Sequence, residues 1–293
     1  MVKWARGDVT APVAPAFGEG RRGVVVAGVA LGVAGVMGLH RVIPNSPGRV
    51  GSLVESFLPW GGGVVVLLFV VQHNVSDENP DPAGTARALL VAGGDLVALE
   101  EVVTPALAVY EDVLRGDYPH HVVHGTVGLW SKYPIREDQL VDIRPQGFEA
   151  GWSRGLRAVV TTPYGDVAAY VAHLPSVRVG VRGLASSSRD ESARMLGDLI
   201  RREKEQAVIL MGDLNSTVDD RGLEPLTSQL NVAERGFAFS YPAALPVARI
   251  DQVLARSGRV SHMRTLPATD SDHLPVAARV TLDPLPPSGR PAP

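Results

Sequence analysis

Apolar positions along this chain fall into three textures, and each predicts a different kind of element. From 23 to 39 the run GVVVAGVALGVAGVMGL holds seventeen residues without a charge or a strongly polar side chain. That is the short edge of what a helix needs to cross a ~30 Å hydrocarbon core, so the run predicts a transmembrane helix. A secretory signal core and a buried pair of Val-rich strands fit the same residues, although the run is long for a signal and lacks a clear small-x-small cleavage site. A second apolar run, SFLPWGGGVVVLLFVV at 56–71, is broken by Pro59 and three glycines. Its β-branched back half, 64–71, predicts a buried first strand running straight into QHNV. Phe57 and Trp60 in the front half suit a membrane interface and a packed core equally.

After Asn74 the pattern becomes that of a globular domain. DPAGTARALLVAGG places an Asp before Pro82, spaces its apolar residues as a helix does and closes on glycine, which marks a helix start and stop. SRDESARMLGDLIRREKEQ predicts a second helix from its helix-forming residues and its charge pattern along one face. Between and after them, DLVALEEV, GTVGLWS, LRAVVTT, DVAAYVAHL, AVILMGDLN, ARIDQVLAR and LPVAARVTL read as strands. Strands outnumber helices and many connections are short. The expected fold is therefore two sheets stacked face to face with helices outside, not a simple βαβ series. Residues 1–22 and the Pro-rich 284–293 have no periodicity and predict disordered tails, leaving 23–66 as a membrane-associated segment and 67–283 as the globular domain.

Composition changes this picture at three points. A chain of 293 residues with 45% apolar residues can bury a substantial core. A formal charge of -3 gives no general electrostatic reason to bind a polyanion. With no cysteine, disulfides, thiolate metal sites and cysteine nucleophiles are excluded, so any metal ligands are oxygen or imidazole.

The candidate chemistry lies at strand ends. HNV at 73–75, LEEV at 99–102, GDLNS at 212–216 and SDH at 271–273 each finish or begin a strand with groups that are costly to bury unpaired. Any one of them has a plain explanation as an Asx turn or a solvated acid. Four together point to a site. The carboxylates of Glu101 and Asp213 with the amides of Asn74 and Asn215 form a hard-oxygen set of the kind Mg2+ prefers, and a His beside an Asp supplies a base.

Asn74 in QHNV, Glu101 in DLVALEE, GLWSKYPI, His173 in VAHL, GDLN, RIDQVL and SDHLPV, in this order, resemble the endonuclease/exonuclease/phosphatase superfamily over residues 67–282. The resemblance implies an α/β (α+β) fold, a four-layer α/β/β/α sandwich whose strand ends gather a Mg2+-dependent phosphoester-hydrolysing site, with Mn2+ as a substitute metal. It implies Glu101 as principal metal ligand, Asn74 as auxiliary ligand or phosphate contact, and Asp213 and Asn215 as groups that position water and phosphoryl oxygens. His173 would donate to the phosphoryl group, with Asp272 and His273 as orienting carboxylate and general base, Asp272 also near the metal, and Asp251 as a further acid close by. Glu100 stands where the family usually has Gln, so it either adds charge near the metal or points to solvent. Tyr133 and Arg157 are candidate phosphate contacts, with a strand-capping Tyr and a sheet-edge Arg as the competing readings. His120, His121 and His124 lie near a loop, match no motif and are expected to be surface residues.

The substrate has to be read from the rest of the chain. Between Asn74 and Leu140 the only cations are Arg87, Arg115, Lys132 and Arg136, against many more acids, which disfavours nucleic acid. GSLVESFLPW and NPDPAGTARAL resemble a membrane-anchored actinobacterial branch of the superfamily that includes glycopeptide-resistance-associated prenyl pyrophosphate phosphatases. That branch implies a membrane protein acting on a phosphorylated lipid, with no protein partner. Lys3, Arg6, Arg21 and Arg22 before the first apolar run would keep the N-terminus cytoplasmic and the catalytic domain outside, a bias that Arg41 and Arg49 dilute. The anchor is shorter than that branch leads one to expect. A metal-dependent nuclease, a sphingomyelinase-like or inositol-phosphate hydrolase, and a binding protein without turnover are the alternatives.

Overall fold

The structure, a computed structural model, describes residues 66–180, 183–233 and 236–283. The expected membrane helix at 23–39, the segment 23–65 around it and both expected tails lie outside these residues. Among the described residues no helix is long and apolar enough to cross a membrane.

Two sheets form the centre. The first has six strands: β1 (Val66–Asn74), β2 (Leu96–Glu100), β3 (His120–His124), β4 (Val127–Ser131), β12 (Gly258–Thr265) and β13 (Val276–Leu282), in the order β12-β13-β1-β2-β4-β3. The second has five: β5 (Ile135–Leu140), β6 (Gly155–Thr162), β7 (Gly165–Ala172), β10 (Ala207–Asp213) and β11 (Asp251–Arg256), ordered β11-β10-β7-β6-β5. A small hairpin, β8 (Arg178–Gly180) with β9 (Gly183–Ala185), stands apart from both sheets. Each sheet is antiparallel except for one central parallel pair, β1 with β2 and β7 with β10. Parallel neighbours end at the same edge, so Asn74 lies beside Glu100, and the ends of β7 and β10 bring His173 level with Asp213.

Alternate residues of the central strands point into the space between the sheets. Leu68, Val70, Leu96 and Ala98 meet Val167, Ala169, Ile209 and Met211 there, all fully buried. The opposite residues of the same strands are apolar too, and each outer face is covered by helices. Helices α1 (Pro82–Ala92) and α2 (Ala106–Leu114) cover Val71, Val97, Leu99 and Trp130 with Leu89, Tyr110 and Leu114. On the other side α3 (Ser187–Arg201), with the short α4 (Glu224–Thr227), covers Ala168, Val208 and Leu210 with Ala193, Leu196 and Ile200. Burial on both faces explains why these strands read as near-continuous apolar runs. Each fully buried Leu or Ile contributes about 1.5–3 kcal/mol, so the layering rests on many such side chains.

Helix α1 starts and stops as its sequence predicts. The Asp81 carboxylate accepts from the Gly84 N–H at 2.8 Å, Pro82 opens the first turn, and Gly93 closes the helix in the left-handed conformation at φ 70°. His120, His121 and His124 are at the surface as expected, partly buried or exposed. They form β3, paired with β4, where His121 stacks on Trp130 and His124 contacts Asp138 at 2.8 Å. Their half-buried or exposed positions on an edge strand carry no regular apolar alternation, which hid the strand from pattern reading. Strands β5 and β12 and helix α2 are likewise absent from the sequence expectations, the first two because most of their outward residues are polar or charged.

Candidate active site

One edge of the sandwich collects the polar strand ends. Asn74 at the end of β1, Glu101 just past β2, His173 just past β7, Asp213 at the end of β10, Asp251 at the start of β11 and His273 just before β13 converge there. Asp213 and Asp251 are register partners, because β10 and β11 are antiparallel and meet at this edge.

Hydrogen bonds join these residues into one network. The Asn74 amide nitrogen is 3.2 Å from both Glu101 Oε1 and Asp213 Oδ2. Asn215 donates its backbone N–H to Asp213 Oδ1 at 2.9 Å and its side-chain amide to the Leu174 carbonyl at 2.9 Å. His273 Nδ1 lies 2.8 Å from Asp251 Oδ2, and its Nε2 faces Asp213 Oδ2 at 3.7 Å. His173 Nε2 reaches toward the same Asp213 oxygen at 3.6 Å and toward Glu101 Oε1 at 3.8 Å. Glu101 and Asn215 hold positive φ of 59° and 48°, conformations that non-glycine residues adopt at a cost of order 1–3 kcal/mol and that gather at functional sites.

The electrostatics separate the two histidines. Burial, reinforced by the Arg154 guanidinium, pushes His173 well below the ordinary imidazole value, so it is neutral and has one N–H to donate. For His273 burial acts the same way, but the hydrogen bond and charge of Asp251, with the charge of Asp213, raise it to about 9. Burial works against the Asp251 charge, but the hydrogen bond and charge of His273 with the hydrogen bonds of Ser240 and Gln72 together hold it below the usual carboxylate range. Asp213, fully buried beside the Asp251 charge, is pushed up.

The structure places the expected residues unequally. Asn74, Glu101, His173, Asp213, Asn215 and His273 come together, and Asp251 joins them. Asp272 does not orient His273: its side chain is exposed, and the carboxylate on Nδ1 belongs to Asp251. The bend before β13 leaves Asp272 exposed and turns His273 inward. Tyr133 is not at the site. It follows Ser131, which pairs with Leu96 at the far end of β2, and it packs against the inter-sheet core. Arg157 is also elsewhere, its Nη2 bonded to Glu203 Oε1 at 2.9 Å on the helix-covered face of the second sheet. Glu100 does not reach solvent. It is fully buried, accepts from Gln72 Nε2 at 2.6 Å, and burial with the nearby Asp251 charge holds its carboxyl far above the usual range, hence protonated.

Four residues at the site escaped sequence reading. Gln72 donates from one amide nitrogen to both Glu100 and Asp251, tying the first sheet to the second. Its signal was a polar residue inside an apolar strand. Ser240 donates to Asp251 Oδ2 at 2.5 Å, and the Tyr241 ring lies 4.8 Å from the His273 ring. Arg154 places Nη1 3.0 Å from His173 Nδ1 and its guanidinium 5.6 Å from the Trp152 ring centre, and no carboxylate pairs with it among the described residues. A cleft of about 380 Å3 opens beside it, lined by Phe148, Trp152, Pro175 and Ser176 among others.

Asp213, Asp251 and His273 present ligand-capable atoms within 4.8 Å of one another. Asp251 and His273 already spend their facing atoms on each other, which leaves the carboxylates of Asp213 and Glu101 as the acceptors a cation would draw. Both converge on the Asn74 amide, a hard-oxygen neighbourhood that fits a hard divalent cation.

The sequence profile described as "Endonuclease/Exonuclease/phosphatase family" matches residues 71–273. No curated protein matches this sequence. Solved structures with the same fold include β toxin from Staphylococcus aureus with bound magnesium ions, at 16% identity and TM-score 0.57 over 73% of this chain and 99% of that one. Sphingomyelinase C from Streptomyces griseocarneus aligns at 19% identity and TM-score 0.55, over 73% of this chain and 99% of that one. A humanized D. rerio TDP2 aligns at 17% identity and TM-score 0.61, again over 73% and 99%.

Proposed function

The chain belongs to the endonuclease/exonuclease/phosphatase family and is a metal-dependent phosphoester hydrolase, and we propose that its substrate is a membrane-borne phosphorylated lipid. A prenyl diphosphate is the first compound to try, with Mg2+ as the metal. The observation that carries the chemistry is the bonded pair of His273 and Asp251 facing Asp213. In this reading Asp251 fixes the imidazole with a proton on Nδ1, and Nε2 takes a proton from water held between it and Asp213 in the neutral form of the ring, which a cation offsetting the Asp213 charge would favour. Neutral His173 donates an N–H to a phosphoryl oxygen, and Arg154, to which no described residue offers a carboxylate, pairs with phosphate charge as it builds. Asn215 holds Asp213 in place, and Asn74 holds Glu101. Mg2+, held by Glu101 and Asp213 with Asn74 beside them, would neutralise the carboxylates and polarise the phosphoryl oxygen.

The membrane-borne substrate is supported by the apolar run 23–39, by the scarcity of cations between Asn74 and Leu140, and by the branch resemblance of GSLVESFLPW and NPDPAGTARAL. Localisation at the cell membrane, with the catalytic domain outside, belongs to the same proposal. The test is a panel of prenyl diphosphate, sphingomyelin, inositol phosphates and plasmid DNA, each with and without Mg2+. Phosphate release from prenyl diphosphate that needs Mg2+ and vanishes in His273→Ala supports the reading. Turnover of sphingomyelin or DNA in its place assigns a different substrate, and release unaffected by His273→Ala rejects the mechanism. Calorimetric metal binding without any turnover would identify a binding protein.

A further inference from the structure

We propose that residues 236–248 are the surface by which this enzyme seats itself on a lipid bilayer, an inference that rests on the membrane-borne substrate proposed above. These thirteen residues, GFAFSYPAALPVA, contain no charge. They carry five large apolar side chains that stand out of the fold, with Phe237 80% exposed, Leu245 70% and Val247 64%, and Phe239 and Tyr241 less so. Scattered exposed apolar residues are ordinary, but an uncharged thirteen-residue segment that leaves five of them exposed, with the Phe237 and Phe239 rings 5.5 Å apart, marks a binding surface.

The segment is held in shape. Ser240 and Tyr241 donate their backbone N–H groups to the Ala248 carbonyl at 2.9 and 3.1 Å, Ala248 donates back to Tyr241 at 3.0 Å, and Leu245 donates to Pro242 at 3.0 Å. Its exposed side chains are therefore presented by a fixed backbone and have no place in the core.

The root of the segment is fastened to the reacting groups. Leu274 donates to the Ser240 carbonyl at 2.8 Å, Ala243 donates to the Asp272 carbonyl at 2.7 Å, and the Tyr241 ring lies against His273. Whatever covers the tip is thus brought to the mouth of the site. A bilayer meets both demands, since it offers hydrocarbon to Phe237 and Leu245 and phosphate at the depth of its headgroups. A protein seated on the same residues would close the mouth over the His273–Asp251 pair. The apolar run at 23–39 of the same chain is a second, independent affinity for hydrocarbon.

The absence of cysteine makes the test clean. Full-length protein carrying Leu245→Cys is labelled with a polarity-sensitive nitrobenzoxadiazole dye, and Tyr164→Cys is the control. Tyr164 is 40% exposed in the turn between β6 and β7, at the end of those strands opposite the site. Both are mixed with phosphatidylcholine and phosphatidylglycerol vesicles containing spin-labelled lipid. The expected result is a blue shift and quenching at 245 and none at 164, so that an anchor elsewhere in the chain cannot produce it. No response at 245, an equal response at 164, or a dye at 245 already shielded before lipid is added would overturn the proposal; the last would assign the surface to another part of the chain or to a second copy.

A second arm uses Phe237→Ser with Leu245→Ser. The ratio of turnover on vesicle-borne lipid phosphate to turnover on a soluble aryl phosphate should fall at least about tenfold. An unchanged ratio would reject the docking role. If the dye at 245 responds while prenyl diphosphate is not hydrolysed, the substrate assignment fails and the docking surface stands. If detergent-dispersed prenyl diphosphate is hydrolysed while the dye stays silent, only the docking surface fails.

Discussion

Asp251 Oδ2 lies 2.8 Å from His273 Nδ1, while Asp272, the neighbour of His273 in sequence, turns its carboxylate to solvent. The pair is buried, and Asp251 is further held by Ser240 and by Gln72 at 2.9 Å. Asp251→Asn keeps the shape but removes the charge that sets the imidazole tautomer, so kcat should fall by about 10²–10⁴. Asp272→Asn should change kcat by less than about threefold, as an exposed substitution does. Steady-state kinetics of the two variants decide between the carboxylates, and equal losses would contradict the assignment.

Glu100 predicts a stability change with a definite pH dependence. Burial, then the Asp251 charge, raises its carboxyl well above the ordinary 4.5. The unfolded chain releases this proton near 4.5 while the folded protein keeps it, so the folded state binds more protons above that pH and loses stability as pH rises. Glu100 Oε1 and Gln72 Oε1 are both buried without a hydrogen-bond partner. Glu100→Gln removes the titration while keeping the side-chain shape and an oxygen that can accept from Gln72 Nε2. The variant should be more stable than the parent by about 1–2 kcal/mol at pH 7 and by less at pH 5. Thermal unfolding at both pH values measures this, and a constant difference would refute the account.

The contrast between these acids shows what was legible in the sequence. Strand ends bearing Asn74, Glu101, Asp213 and His273 were visible because apolar runs stop abruptly on groups that resist burial. The two-sheet architecture was visible for the same reason, since strands covered on both faces leave long apolar runs. Which carboxylate meets His273 was not visible. Asp272 is one residue away and Asp251 is twenty-two, and only the register of β10 with β11 and the turn before β13 bring the distant one inward. Gln72 and Arg154 were hidden because their partners lie on other strands: Asp251 belongs to the opposite sheet, and His173 meets Arg154 through the β6–β7 pairing. Arg157, the arginine singled out in the sequence, lies on β6 with its side chain on the helix-covered face, where it pairs with Glu203.

The two arginines should separate function from stability. Arg154 stands against His173 and Trp152 at the site, so Arg154→Ala should lower kcat/KM on a phosphorylated substrate by about 10²-fold while thermal stability changes little. Arg157 forms a two-point pair with Glu203, whose carboxylate is also bonded by the Tyr170 hydroxyl at 2.7 Å. Burial works against the Glu203 charge, but the hydrogen bonds from Arg157 hold it at about 2. Arg157→Ala leaves that carboxylate with little compensation and should cost about 2–4 kcal/mol of stability, with kcat/KM per folded molecule within about twofold of the parent. Denaturant titration and kinetics on both variants read the split; a reversed pattern would place the phosphate contact at Arg157.

Gly212 links the two sides of the site through backbone alone. It precedes Asp213 at the end of β10, with φ at 155°, and a Cβ added there would come within 1.9 Å of the Ala172 carbonyl oxygen. Ala172 precedes His173 on β7, the parallel neighbour of β10. The close backbone approach at this point is what brings Asp213 within 3.6 Å of His173. Neither backbone can retreat easily, because Leu174 donates to the Asp213 carbonyl at 2.9 Å just beyond the contact. Gly212→Ala must therefore push the two strand ends apart where both carry site residues. A misplacement of about 1 Å at a reacting group costs roughly 10²-fold in rate. The variant should lose at least that much kcat even where it remains folded by circular dichroism and keeps its unfolding cooperativity. Ala172→Gly, which trims the opposite side chain without touching the carbonyl, should fail to rescue it, and a Gly212→Ala enzyme with full activity would show that the strand separation does not set the site.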